Sequence, residues 1–244
     1  MGLAGVKIIL VEPAGPMNVG SVARVMKNFG LEHLVLVNPQ CDRLGTEAQQ
    51  MAVHAKDILK SSVTVTTLPE ALTGCIKAVA TIGRDLSWET PVDTPRTAIP
   101  WLMETSGQSV ALIFGREDRG LTNEELNYAQ KFVRIPTDAG YPSMNLATAV
   151  AICCYELSQN SDVRNINADI SMSQENELAP LDVVESYYQQ LESLLLTIGY
   201  LHPHTAISRM SKFRQLYSRA QLQTNEIAML RGILRQMKWA ISKE

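Results

Sequence analysis

No run of about 18 apolar residues occurs in this sequence, which excludes a helical membrane span. The layout of a signal peptide is missing too, since the chain goes directly into a strand-like run, Val6-Lys7-Ile8-Ile9-Leu10-Val11. Gly2 opens no myristoylation signal, because position 6 is Val rather than Ser or Thr. None of the four cysteines, Cys41, Cys75, Cys153 and Cys154, stands in a CxxC pair, and His33, His54, His202 and His204 are dispersed. Zinc spacing is therefore lacking, no metal is expected, and the thiols suit a reducing cytoplasm. The glycines match neither GxGxxG nor a Walker phosphate loop, which weakens dinucleotide and ATP readings. Internal repeats and low-complexity tracts are missing as well.

What is present is a chain of 244 residues, 45% hydrophobic, long enough for one large domain with a small appendage. Its net charge of −3 hides an asymmetry. Residues 1–160 carry 13 basic and 16 acidic side chains, and residues 161–201 carry one and seven. Residues 202–244 reverse the balance with eight basic and two acidic, so a polyanion would be drawn to the C-terminal block.

The first part alternates two patterns. Short Val- and Ile-rich runs at Val6–Val11, Leu34–Val37, Val63–Thr67, Ala78–Ile82, Val110–Phe114 and Phe132–Ile135 read as strands covered on both faces. Helical candidates lie between and after them at Val19–Phe29, Thr46–Leu59, Pro69–Leu72, Arg96–Thr105, Asn123–Gln130 and Asn145–Leu157. The βαβα order predicts an α/β domain with a largely parallel sheet over residues 1–158. Residues 159–180 are polar and Asn-rich and read as a linker. Residues 181–244 read as a helical extension. Val184, Tyr188, Leu191, Leu195 and Ile198 mark one apolar stripe before Gly199, and Ile227, Leu230, Leu234, Met237 and Ile241 mark another. Between them, Ile207–Arg219 carries Arg209, Lys212, Arg214 and Arg219.

Three loops hold the unusual polar residues. Asn18-Val-Gly-Ser-Val-Ala-Arg24 follows the first strand, so it belongs at the C-terminal edge of the sheet, where α/β proteins bind ligands. Phe114-Gly-Arg-Glu-Asp-Arg-Gly-Leu121 contains Glu117 and Arg119, read as an oppositely charged pair, and leads to a capping box at Thr122 and Glu125. Tyr141-Pro-Ser-Met-Asn-Leu-Ala-Thr-Ala-Val150 places Ser143 and Asn145 at a helix entry, beside unpaired backbone N–H groups. A further loop, Thr81-Ile-Gly-Arg84, ends the fourth strand.

In this order and spacing, NxGSxAR, FGxExxGL and SxNLAxAV resemble the three motifs of the SPOUT-class RNA ribose methyltransferases of the TrmH-like branch. The C-terminal segments Phe213-Arg-Gln-Leu-Tyr-Ser-Arg-Ala220 and Leu230-Arg-Gly-Ile-Leu234 are similar to those of the branch that methylates tRNA at position 32 of the anticodon loop. The resemblance implies a parallel-sheet SPOUT domain with a C-terminal trefoil knot, and a homodimer. It implies S-adenosyl-L-methionine as cofactor, leaving as S-adenosyl-L-homocysteine, held by Thr81, Ile82, Gly83, Gly115, Ile135, Pro142, Ser143 and Met144. Its catalytic arginine falls on Arg24, with Glu117, Ser143 and Asn145 as the other motif residues. RNA contacts are expected from Asn18, Arg84, Arg116, Arg209, Lys212, Arg214 and Arg219. The partner implied is tRNA, not DNA and not a membrane, and the base is cytidine, uridine or both. Ribosomal RNA, another tRNA position, or a non-catalytic RNA-binding role are the alternatives. Pro142 stands where close relatives carry a serine.

Overall fold

The computed structural model describes residues 3–83, 90–104, 107–164 and 177–243, with 161–164 as backbone only. The chain divides into two compact units, 1–169 and 170–244. In the first, the strands are β1 (Val6–Val11), β2 (His33–Val37), β3 (Val63–Val65), β4 (Cys75–Thr81), β5 (Val92–Asp93), β6 (Ser109–Phe114) and β7 (Lys131–Val133). They form a seven-stranded sheet in the order β3-β2-β1-β6-β4-β7-β5, with every pair parallel. The expected α/β fold with a parallel sheet is thus what the chain adopts.

Helices α1 (Pro16–Asn28), α2 (Thr46–Ala52), α3 (Lys56–Ser61), α4 (Leu68–Ala71), α5 (Pro95–Met103), α6 (Asn123–Leu126) and α7 (Leu146–Arg164) connect and cover the sheet. Ile8, Ile9, Leu10, Leu112 and Ile113 are fully buried, which explains why β1 and β6 read as continuous apolar runs rather than alternating ones. Burying each such side chain contributes about 1.5–3 kcal/mol. Helices α1 and α2 approach closely at Gly20, where a Cβ would meet the carbonyl oxygen of Ala48 at 2.2 Å. Cys153 and Cys154 lie inside α7, and burial pushes the Cys153 thiol up to about 12, away from reactive thiolate chemistry.

Several boundaries differ from expectation. The helix expected over Thr46–Leu59 is broken into α2 and α3 at Val53, which takes a left-handed φ of 53°. The segment Asn123–Gln130 is helical only to Leu126, because Gln130 leaves to bond β4: its backbone amide donates to the Ala78 carbonyl, and its side-chain oxygen accepts from the Ala78 amide. Helix α7 runs to Arg164, past the expected end at Leu157 and into the segment read as a linker. The sixth and seventh strands in chain order are β6 and β7, and the two-residue β5, paired to β7, was not expected at all. The expected end of α5 at Thr105 lies outside the described residues.

In the second unit, α8 (Leu181–Thr197), α9 (Pro203–Ala220) and α10 (Thr224–Ile241) pack around Tyr187, Tyr188, Leu191, Leu194, Met210, Ile227 and Leu234. Gly199 turns the chain after α8 with φ 75°, as the stop signal predicts. The stripes are only partly core. Ile198, Met237 and Ile241, members of those stripes, are exposed.

Candidate active site

The sheet order makes the site. Strands β1, β6, β4 and β7 are consecutive neighbours and all parallel, so the loops that follow them emerge side by side at one edge. Leu10 pairs with Phe114, Ala80 with Ile113, and Thr81 with Val133, which levels the strand ends. The amide of Ile82 donates to the Val133 carbonyl at 2.9 Å and the Thr81 hydroxyl to the Ile113 carbonyl at 3.1 Å, fixing the loop after β4.

A pocket of about 620 Å³ opens there, within the size range of small-molecule sites. Thr81, Ile82, Gly83, Gly115, Ile135, Pro142, Ser143 and Met144 all line it, so the residues expected at the cofactor come together in one wall. Arg116, Glu117, Arg134 and Thr137 line it as well. Gly115 is required by close backbone approach: a Cβ there would lie 2.2 Å from the carbonyl carbon of Gly120 and 2.3 Å from the nitrogen of Leu121. Gly83 is open, with nothing within 4 Å of the position a Cβ would take. A pocket of this size, with Gly83, Gly115 and Gly120 among its lining residues, has room for a nucleoside-type ligand.

Glu117 does not pair with Arg119. Its carboxylate accepts from the amides of Ala14 at 2.9 Å and Gly15 at 3.0 Å, and from Nδ2 of Asn18 at 3.0 Å. The residue before α1 is Gly15, which has no side chain to cap the helix, and a carboxylate about a hundred residues away holds the two amides at its entry. Burial pushes the Glu117 carboxyl up, but those three donors outweigh it and hold the group below its ordinary value. Glu117 is therefore a positioning residue for α1. Asn145 caps α7, its Oδ1 accepting from the amides of Ala147 at 2.9 Å and Thr148 at 3.3 Å. Its Nδ2 donates to Oδ1 of Asn18 at 3.0 Å. Asn18, expected at RNA, instead has both ends of its amide occupied and joins the three motif loops.

Arg119 is held by Glu12 at 2.8 Å and by Glu125 at 3.0 Å. Its guanidinium is raised above its usual value by the hydrogen bonds it donates to the Glu125 carboxylate, against burial. Glu12 sits in a left-handed conformation with φ 48° at the end of β1, where its carboxyl also accepts from Asn38. Sequence reasoning missed Glu12 and Arg119 as partners because 107 residues separate them. Glu125 closes the expected capping box, taking the Thr122 amide at 2.7 Å, and holds Arg119 besides. Arg116 lies 3.0 Å from Asp118 and 4.0 Å from Glu12 at the pocket rim.

Arg24 lies on the outer part of α1, exposed and without a hydrogen bond or ion pair among the described residues. It falls eight residues after the start of α1, deeper than the first turns, and is not in the pocket wall. Ser143 is exposed in that wall. Arg84 lies outside the described residues. In the second unit Arg209, Lys212 and Arg219 are exposed. Arg214 is not: it makes a two-pronged ion pair with Glu185 and lies 4.6 Å from the Tyr188 ring centre, so it is a packing residue of the bundle rather than an RNA contact.

Residues 5–155 match the model of the SpoU rRNA Methylase family, so the fold and the pocket are those of a SpoU methylase domain. Residues 182–244 match the C-terminal domain of tRNA methyltransferase TrmJ. The chain is 39% identical over 237 residues to the tRNA (cytidine/uridine/adenosine-2′-O-)-methyltransferase TrmJ of Pseudomonas aeruginosa, covering 94% of this chain and 92% of that one. It is 37% identical over 233 residues to the tRNA (cytidine/uridine-2′-O-)-methyltransferase TrmJ of Salmonella typhimurium, covering 95% and 96%. The crystal structure of TrmJ from Z. mobilis ZM4 superposes with a TM-score of 0.85 at 30% identity, covering 96% of this chain and all of that one. The chain belongs to the SpoU methylase family, in its TrmJ branch.

Proposed function

We propose that this protein is a cytoplasmic tRNA 2′-O-ribose methyltransferase that uses S-adenosyl-L-methionine and acts at position 32 of the anticodon loop, on cytidine or uridine. The observation that carries the reading is the single pocket wall built by the loops after β4, β6 and β7, in a chain whose second unit matches the TrmJ C-terminal domain. When bound, the cofactor would be held by the loops that carry Gly83, Gly115 and Ser143 and would supply a methyl group to a ribose 2′-oxygen, which gives up its proton as S-adenosyl-L-homocysteine is left.

The side chains supply position and charge rather than covalent chemistry. Arg24 clamps a phosphate beside the target ribose and balances negative charge on its 2′-oxygen, a task for a permanently protonated fork rather than for a base. Ser143, in the pocket wall, orients the hydroxyl. Asn18, Glu117 and Asn145 hold the loops at fixed separation. Arg209, Lys212 and Arg219 supply phosphate contacts from the second unit, and Arg116 and Arg84 from the first.

The active form is a homodimer. Met17 and Tyr155 are exposed apolar residues on α1 and α7, which suits a subunit interface. Arg24 lies outside its own chain's pocket wall, and a dimer that sets α1 against the pocket of a second copy brings the two together. The loops around Pro142 would form the wall of a trefoil knot. Incubation of the pure protein with bulk tRNA and, separately, with ribosomal RNA, each with methyl-labelled cofactor, followed by digestion and mapping, tests the reading. Label on the 2′-oxygen of nucleotide 32 is expected; label only on ribosomal RNA or at another tRNA position overturns the assignment of substrate.

A further inference from the structure

The turn between α8 and α9, together with the first turn of α9, carries three aromatic rings outside the buried core of the bundle. Tyr200, His202 and His204 are all exposed, Tyr200 by 52%, while Leu201 among them is buried and anchors the turn. The turn is fixed. Gly199 takes φ 75°, the Leu201 amide donates to the Leu195 carbonyl at 3.0 Å, and the amides of Thr205 and Ala206 donate to the His202 carbonyl at 2.9 Å. The His202 and His204 rings lie parallel, 6° apart in plane and 5.8 Å between centres. Arg209 reaches back from α9, its Nη1 donating to the Tyr200 carbonyl at 3.2 Å and its guanidinium 5.6 Å from the Tyr200 ring centre.

The charge continues from there. Helical spacing puts Arg209, Lys212 and Arg219 on one side of α9 along roughly 15 Å, away from the buried Ala206 and Met210. Rings held on a rigid turn lose little freedom when a ligand stacks on them, and every nucleobase offers a π-face.

We propose that this turn binds an unpaired nucleotide of the RNA substrate, the base stacking on Tyr200 and the imidazole pair while the strand's phosphates follow Arg209, Lys212 and Arg219. A polyanion is the occupant that the charge selects, since residues 202–244 carry eight basic and two acidic side chains. The proposal rests on the reading of the protein as one that acts on RNA.

The test uses the full-length protein, with a short fluorescent oligouridylate and bulk tRNA as probes, and calorimetry of S-adenosyl-L-homocysteine on the same preparations. Tyr200→Ala is expected to weaken oligouridylate binding roughly 5- to 150-fold without changing its salt dependence, and Tyr200→Phe to restore it. Arg209→Gln is expected to lower the slope of log K against log salt by about one. Parental affinity in Tyr200→Ala, or no oligouridylate binding by the parent, overturns the site. A changed sedimentation coefficient of RNA-free Tyr200→Ala assigns the turn to contact between copies and also overturns it. A parent that binds the oligonucleotide through Tyr200 and binds the homocysteine product, yet methylates no tRNA, overturns the proposed function alone.

Discussion

Asn145 donates its side-chain N–H to Oδ1 of Asn18 at 3.0 Å, across 127 residues of sequence. Through that bond and the one from Asn18 to Glu117, three loops from three strands share one hydrogen-bonded chain. If this chain sets the separation of α1 from the pocket wall, its members are energetically coupled. Asn18→Ala is expected to cost about 1–2 kcal/mol in urea unfolding. In a double-mutant cycle with Asn145→Ala the two losses should fail to add by about 0.5 kcal/mol or more. Simple additivity would show that the bond carries nothing.

Acid should weaken this arrangement in a defined window. The Glu117 carboxyl is pushed up by burial and pulled further down by the Ala14 amide, Asn18 and the Gly15 amide, so it sits below 4.5 in the native state. Glu12 is lowered in the same way by Arg119. A depressed carboxyl stabilises fully above pH 4.5 and loses that contribution as pH falls through its native value. Glu117→Gln should therefore be less stable than the parent at pH 7, the difference shrinking below pH 4.5. Thermal melts across pH 3 to 7 measure it.

Arg24 has no structural partner among the described residues, so its replacement tests chemistry with little effect on folding. Arg24→Lys should keep the parental melting temperature and bind S-adenosyl-L-homocysteine normally. Methyl transfer should fall by on the order of 100-fold, because a point charge replaces a bidentate fork. Turnover near the parental level would remove Arg24 from the reaction.

The glycines separate packing from ligand contact. Gly115→Ala drives a Cβ into the backbone of Gly120 and Leu121, so about 1–3 kcal/mol of stability and the shape of the pocket should go together. Gly83→Ala meets nothing within 4 Å, so stability should change by less than about 0.5 kcal/mol. A drop in cofactor affinity in Gly83→Ala at unchanged stability places the ligand against that loop. Calorimetry beside thermal melts reads both.

Two basic residues of α9 should behave in opposite ways. Lys212→Gln should leave stability alone and lower the salt slope of tRNA binding by about one. Arg214→Gln strands Glu185, whose side chain is 12% exposed, and should cost on the order of 3 kcal/mol with the salt slope unchanged. Urea unfolding and salt titrations of tRNA affinity distinguish the two.

Much of this protein is written in local pattern. The strands from Val6 and Val110 announce themselves because both faces are buried, and Gly199 stops α8 because only glycine takes that φ without strain. The ordered motifs suggested the site through resemblance; the residues expected at the cofactor line one pocket, while Arg24 and Asn145 do not. Other features have no local signal. Strand β5 is two residues long, too short for any period, and the break at Val53 carries neither glycine nor proline.

The pairings across the site belong to the tertiary structure alone. Glu117 was legible as a motif residue but not as the holder of the α1 entry, and Arg214 was legible as a cation but not as the partner of Glu185. Sequence by itself determines what neighbours within a turn or two of helix or strand can do, since propensity, period and capping act over that range. It also set the charge reversal at residue 202. Glu12 meets Arg119 because the sheet order brings β1 and β6 together as hydrogen-bonded neighbours, and Glu185 meets Arg214 because α8 packs on α9. Coulomb and hydrogen-bond energies depend on that distance in space and not on separation along the chain.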